Sequence, residues 1–447
     1  NSGIATSGIS GPERSPPQAV ARRTGLDYAS PTSRGTPASP RSRNAATDGL
    51  ESILTTTDEL RDAAEDLADD LIAWRRDLHR HPELGFEETR TAEFVRSRLV
   101  ALGLEVRTGV ARTGVVGMLR CPDPTGAPVL LRADMDALPI QEVAGREYGS
   151  SVPGKMHACG HDGHTAMLLG AATLLAGRTQ RLTRDVVFCF QPGEEGMGGA
   201  REMIADGVLE WTGARSAFGV HLWSGFPVGT LHVRPGPIMA AQDEFTAWFR
   251  GRGGHGAAPH NARDPIAAAA LGVVALQSVV SRFVDPLSPA VATVGSMHAG
   301  SACNIIPETA ELIGTLRSFT PEVRILLRQR VEEAFAGAAR SGGCELEFEI
   351  RPGYPAVVND AEAARVVGSV AGRLFGESQV FETPPLAASE DFAYFLEKVP
   401  GAFILLGAGN EERGITAPHH SPRFDIDESA LPKGAELLAA LAMGTSR

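Results

Sequence analysis

The sequence predicts an α/β protein with a mostly parallel central sheet flanked by helices, into which a ferredoxin-like α+β domain is inserted. Two observations carry this. Short apolar runs alternate with helical patterns at both ends of the chain, and the middle follows a β-α-β-β-α-β rhythm. Folded sequence begins near Asp58, where Leu60, Ala63, Ala64, Leu67, Leu71, Trp74 and Leu78 recur at helical spacing up to Arg80. His81-Pro82 ends that helix, because proline disfavours a helical residue before it. Glu87–Leu102 is a second helix, closed by Gly103. A buried strand at Val129–Ala133, an apolar helix at His164–Ala176 and a strand at Asp185–Phe190 follow. After them come a helix at Arg201–Asp206 and a strand at Ala217–Val220 that His221 ends. In the middle, Asp243–Arg250, Ala290–His298, Thr309–Phe319 and Cys344–Ile350 read as strands, and Pro265–Phe283 and Pro321–Arg340 as helices. A helix at Ala361–Phe375, a strand at Phe403–Gly407 and a last helix return the chain to the first domain. Gly and Pro mark the crossings near Pro235–Gln242 and Arg351–Tyr354. The expected divisions are 1–57 as a tail, 58–239 and 353–447 as the main domain, and 240–352 as the insertion.

Composition narrows the function classes. At 447 residues the chain is long enough for two cores, and 43% hydrophobic with 21% charged residues is ordinary for a globular enzyme. A net charge of −12 argues against a nucleic-acid partner. Five scattered cysteines without a CxxC pair point to a reducing, cytoplasmic setting rather than a disulfide framework. The longest apolar run, Ile266–Leu276, is too short for a bilayer and reads as a buried, Ala-rich helix, so no membrane partner is expected. From Asn1 to about Thr47 the chain is rich in Ser, Pro, Gly, Arg and Thr and lacks the apolar content to offset ordering entropy, so disorder is expected there.

Four polar clusters each follow an apolar strand or sit in a Gly-rich loop: Asp134-Met135-Asp136, Cys159-Gly160-His161-Asp162-Gly163-His164, Glu194-Glu195, and His221. Singly they are bland: a lone Cys is usually a small buried hydrophobe, and a lone His in an apolar strand a satisfied core residue. Together they converge, because open α/β sheets bind ligands beyond the carboxyl ends of their strands. A thiolate, imidazoles and a carboxylate form a ligand set for zinc or a similar ion. A tetrahedral catalytic ion keeps three protein ligands, so a larger set implies two ions sharing a bridging ligand and water. Such a centre needs an unligated carboxylate for proton transfer, and Glu194 stands beside Glu195.

Met156–Thr165, Arg132–Pro139, Gln191–Gly196, Gly219–His221 and His420–Phe424 resemble the motifs of the aminoacylase, hippurate hydrolase and auxin-conjugate hydrolase group of two-metal peptidase-amidohydrolases. The resemblance runs from about Leu71 to the C-terminus, with one departure: the middle residue of the Gln191–Gly196 loop is more usually Ala in the group. It implies Cys159, His161, Glu195, His221 and His420 as ligands of two divalent ions, with His419 an alternative to its neighbour. Zinc or manganese heads the expected metals, with cobalt and nickel behind. Glu194 is implied as general base and acid, and Asp136, with Asp134, as orienting a ligand imidazole. His164 is read as capping or packing its helix. In the inserted domain, Gly251–His260 resembles the group's lid segment. There His255 would stabilise an oxyanion across a homodimer interface, and Asn304 with Arg317 would grip a substrate carboxylate. A structural salt bridge is the competing role for Arg317. The implied activity is hydrolysis of N-acyl amino acids to a carboxylic acid and a free amino acid. A dipeptidase or carboxypeptidase on the same fold is the runner-up, and a metal-free binding protein the reading from another class.

Overall fold

The computed structural model describes residues 58–444, so the expected tail at 1–57 lies outside the described residues. Helix α1 covers 58–66, and Leu67 breaks it from α2 (Ala68–Arg80), making two helices of the one expected. Next come α3 (Thr89–Ala101), β1 (Glu105–Val110), β2 (Gly114–Leu119), β3 (Val129–Asp134), α4 (His161–Ala176) and β4 (Val186–Gln191). They lead to α5 (Gly199–Ala205), α6 (Val208–Thr212), β5 (Ser216–Pro227), β6 (Leu231–His232) and β7 (Gly236–Met239). The middle contains β8 (Ala241–Arg250), β9 (Gly254–His255), α7 (Pro265–Ser278), β10 (Ala290–Ala299), β11 (Ile305–Ile306), β12 (Thr309–Ser318), α8 (Pro321–Ser341) and β13 (Glu345–Pro352). The chain ends through β14 (Val357–Asn359), α9 (Ala361–Phe375), β15 (Val380–Phe381), α10 (Ala393–Leu396), β16 (Gly401–Gly409) and α11 (Ala430–Met443).

Eight strands form the main sheet in the order β1-β2-β4-β3-β5-β16-β6-β15. Its centre, β4-β3-β5-β16, is parallel, and every residue of β3, β4 and β16 is buried. Such unbroken apolar strands need cover on both faces. One face is packed by α2, α3, α4, α9 and α11 through Leu71, Val95, Leu168, Val367 and Leu438. The other is packed by α5, α6 and α10 through Met203, Leu209 and Phe395. The sheet is mixed because an antiparallel hairpin, β1-β2, lies at one edge, and β2 runs antiparallel to β4. That hairpin was not foreseen, since β1 is mostly exposed and carries no alternating pattern.

Two expectations near the site need correction. His221 does not end its strand: β5 continues to Pro227, with His221 paired to Leu405 of β16. A polar residue in an apolar run looks like a stop, yet here the neighbouring strand holds it in register. Helix α4 begins at His161 rather than His164, because Gly160 at φ +91° makes the turn into the helix and leaves the Gly-rich sequence helical.

Residues 241–352 build a separate antiparallel sheet, β10-β12-β8-β13, with α7 and α8 packed around Phe245, Phe249, Leu276 and Phe335. This is the ferredoxin-like β-α-β-β-α-β order. Helix α7 corrects the sequence reading. With a π turn at Val279–Phe283 it is long and apolar enough to cross a membrane by length and composition, and most of it is not buried. Ala268, Ala269, Gly272 and Leu276 dock it on the sheet, while Leu271 and Val274 face outward. Alanines around the whole helix hid which side faced the core.

Candidate metal centre

The parallel strands deliver the polar clusters to one end of the sheet. β3 ends on Asp134, β4 leads through Gly193 (φ +60°) to Glu194 and Glu195, and α4 opens with His161 directly after Cys159 and Gly160. His420 arrives from the segment before α11. Its φ of +63° is a left-handed conformation that a non-glycine residue adopts at a cost, and its N–H is tied to the Ala158 carbonyl at 2.8 Å.

Donor atoms meet there. Cys159 Sγ lies 3.5 Å from His221 Nε2, His420 Nε2 lies 3.3 Å from Glu195 Oε1, and His161 Nε2 lies 3.9 Å from that same oxygen. Cys159, His161 and His221 form one triad with donors mutually within 4.8 Å, and Cys159, Glu195 and His420 form another. The Cys159 sulfur is the donor common to both triads and would be available to both ions. Tautomers suit the task. His161 Nδ1 donates to the Asp136 carbonyl at 2.8 Å and His221 Nδ1 to the Leu222 carbonyl at 2.7 Å, which leaves each Nε2 with a free lone pair. His161 Nε2 and Glu195 Oε1 are buried without any hydrogen-bond partner. Buried polar atoms without partners are costly, and a pair of divalent cations is the group this donor set fits.

The two neighbouring histidines are committed elsewhere. His164 Nδ1 donates to Asp134 at 2.6 Å and its Nε2 accepts the Leu222 N–H at 2.9 Å, so neither nitrogen is free. His419 donates Nε2–H to the Leu222 carbonyl at 3.0 Å and stacks on Trp223 at 4.4 Å, leaving His420 as the one whose donor joins the cluster.

Electrostatics follow from burial. Burial pushes the Cys159 thiol well up, and the charge of Glu195 adds to it. Burial opposes the charged form of His161, but Asp134 and Cys159 outweigh it and hold the imidazole above its usual range. Glu194 is raised well above an ordinary carboxyl by burial, then by Glu390 and Glu195.

Glu194 and Glu195 ride on a loop whose N–H groups are held by side chains from distant stretches. Glu88 accepts from Gly193 at 2.9 Å, Asp136 from Glu194 at 3.0 Å and Glu195 at 2.9 Å, and the Tyr354 hydroxyl from Gly198 at 3.0 Å. Asp391 accepts from Ala200 at 2.9 Å. Asp136 therefore spends both carboxylate oxygens on the loop and orients His161 through its backbone carbonyl. Asp134 turns to His164 and Arg132, with its other role limited to lying 3.6 Å from His161 Nε2.

Sequence reasoning missed Glu88, Arg132, Tyr354, Glu390 and Asp391. Arg132 is buried and donates to Asp134 at 2.7 Å, Glu390 at 2.8 Å, Asp391 at 2.9 Å and Gln191 at 2.8 Å. Glu194, Glu390 and Asp391 bring their carboxylates within 4.8 Å of one another. An arginine inside the apolar run Val129–Ala133 was the available signal, since it demands buried acidic partners.

The three candidates of the inserted segment stand apart. His255, exposed on β9, pairs with Ile305, and the Asn304 carbonyl accepts the Gly256 N–H at 2.8 Å, so these two are neighbours. Arg317 donates to the carbonyls of Ala387 at 3.1 Å and Leu316 at 3.0 Å and to the Thr315 hydroxyl. Among the described residues no hydrogen bond or ion pair joins these three to the metal-ligand cluster. Arg317 makes no salt bridge among them either, against the structural role weighed for it.

Comparison with known proteins agrees with this geometry. The model of peptidase family M20/M25/M40 matches residues 130–444. The IAA-amino acid hydrolase ILR1-like 4 of Arabidopsis thaliana is 42% identical over 383 residues, 84% of this chain and 86% of its own length. Thermostable carboxypeptidase 2 of Saccharolobus solfataricus is 40% identical over 391 residues, covering 86% of this chain and 98% of its own. The solved structure of a Bacillus subtilis protein described as a dinuclear metal-binding peptidase of the M20 family superposes with a TM-score of 0.74. It has 36% identity and covers 85% of this chain and 98% of its own. A matched family model over most of the chain, on a fold that gathers two sulfur-linked donor triads, places the protein in peptidase family M20/M25/M40 as a metal-dependent hydrolase.

Proposed function

We propose that the protein hydrolyses the amide bond of N-acyl amino acids, releasing a carboxylic acid and a free amino acid. The observation that carries this is the placement of Glu194, buried beside the donors of His161 and Glu195 yet on a loop fixed from four directions. Cys159, His161, Glu195, His221 and His420 would hold two divalent ions, zinc or manganese foremost. Such ions supply Lewis acidity and an acidified water. Glu194 accepts a proton from the attacking water. Its raised affinity for that proton, set first by burial, suits it to carry the proton and release it to the departing amine.

The segment 240–352 is read as a lid. His255 would meet the developing oxyanion, and Asn304 and Arg317 the substrate carboxylate. Arg317 Nη2 has no partner among the described residues, so it keeps a donor to offer. The plant relative named for an amino acid conjugate and the Cys-Gly-His start of the metal motif favour the N-acyl reading. The archaeal carboxypeptidase supports the peptidase alternative. Assays of N-acetyl and N-benzoyl amino acids beside dipeptides, each with zinc, manganese, cobalt or nickel, separate the two; turnover of dipeptides alone overturns the first.

A homodimer through the lid belongs to this reading. β10 is one of the two edge strands of the smaller sheet, and Leu271, Val274, Val291 and Met297 are exposed on or beside it. Val274→Glu is expected to shift a dimer to monomer in analytical ultracentrifugation, and a wild-type monomer would end the idea. Five free thiols fit a cytoplasmic location, which cell fractionation tests.

A further inference from the structure

We propose that Tyr354 is a positioning residue that couples the junction of the inserted segment to Glu194, an inference that rests on Glu194 being the general base. Tyr354 lies two positions beyond Pro352, the last residue of β13, and its side chain is buried. Its hydroxyl donates to the Glu194 carbonyl and accepts the Gly198 N–H at 3.0 Å. One oxygen thus closes the loop that presents Glu194 and Glu195. Burial pushes the phenol far above its ordinary range, with Asp391 and Glu194 adding to it, so it remains a donor at any working pH.

The backbone on either side of Tyr354 is fixed at the junction. Gly353 N–H donates to the Gln242 carbonyl at 3.0 Å, and Gln242 N–H to the Tyr354 carbonyl at 3.0 Å, so the two crossings are paired. Arg324, near the start of α8, donates to the carbonyls of Gln242 at 3.1 Å and Gly353 at 2.9 Å. The same guanidinium pairs at 2.7 Å with buried Asp243, which Arg328 also holds. A single side chain of the smaller sheet's helix therefore clamps both crossings, and the next residue along reaches the catalytic loop. Rotation of the smaller sheet about this junction moves the Tyr354 hydroxyl, and with it the carbonyl of Glu194. Glu88 and Asp136 hold the same loop away from the junction, and Asp391 reaches it only through its neighbour Ser389, whose hydroxyl donates to the Gln242 side chain at 2.7 Å, so Tyr354 is the direct link.

The test uses the metal-loaded enzyme with its best N-acyl amino acid. Tyr354→Phe removes one hydroxyl and leaves the Gly198 N–H unpaired, so kcat is expected to fall about tenfold, with KM and metal content unchanged. Arg324→Met should also lower kcat, and should add little to Tyr354→Phe, because both break one linkage. A purely structural role predicts a lower Tm with unchanged kcat, and additive effects. Wild-type kcat in Tyr354→Phe, or additivity with Arg324→Met, overturns the proposal. Glu194→Gln is run alongside: an active Glu194→Gln enzyme overturns the assignment of the base itself, and so separates that failure from this one. If Tyr354→Phe does not fold, Arg324→Met alone must lower kcat at constant KM, and its failure to do so is equally decisive.

Discussion

Glu194→Gln is expected to lower kcat by about 10²–10⁴-fold, the usual worth of a positioned general base, while bound metal stays at the wild-type level. The argument is geometric. The amide is isosteric with the carboxyl, so the loop bonds to Glu88, Asp136 and Tyr354 survive, and none of the five donor residues is touched. Glu194 also faces Glu195, Glu390 and Asp391 across a buried space, and burial already disfavours its charge. Removing the ionisable group relieves that crowding, so the Tm of the variant should hold or rise. Turnover within a few-fold of wild type would take proton transfer away from Glu194.

Arg132→Met should cost about 3–5 kcal/mol of stability, the penalty for removing one partner of a buried ionic cluster. Arg132 is the cation shared by Asp134, Glu390 and Asp391, all of them buried. Burial opposes its charge, yet Glu390 and Asp134 hold its pKa far above even the arginine range. Methionine fills the volume but leaves three carboxylates facing one another. Urea denaturation followed by circular dichroism measures the loss, and a change under about 1 kcal/mol, the scale of an unremarkable surface substitution, would show the cluster to be dispensable. Asp134 also fixes His164, so weaker metal retention is expected to accompany the unfolding.

Much of the architecture was legible because apolar periodicity encodes it. Helix α9 was expected and found at Ala361–Phe375, and the β-α-β-β-α-β segment was read from strand and helix order alone. The polar clusters were legible for a related reason: Asp134, Glu194 and His221 lie within or just beyond apolar strands, and Cys159 sits in a Gly-rich loop that opens an apolar helix. What escaped notice was whatever depends on a distant partner. Glu390 and Asp391 look like surface charges until Arg132 is placed against them, and Tyr354 looks like a core aromatic until the Glu194 carbonyl lies at its hydroxyl. The outward face of α7 was illegible for the opposite reason, since an alanine-rich surface shows no preferred side.

The position of β16 constrains how the chain can reach this state. It lies between β5 and β6 in the sheet, parallel to one and antiparallel to the other, although the whole 240–352 segment separates it from them in sequence. As the polypeptide leaves the ribosome, β5 and β6 must wait with unpaired edges while the ferredoxin-like module completes itself from local pairings. Such late, long-range closure is slow and exposes sticky strand edges. A nascent chain stalled before residue 401 therefore presents an open slot at the middle of its sheet, and chaperones that cover strand edges are the natural guardians of that interval.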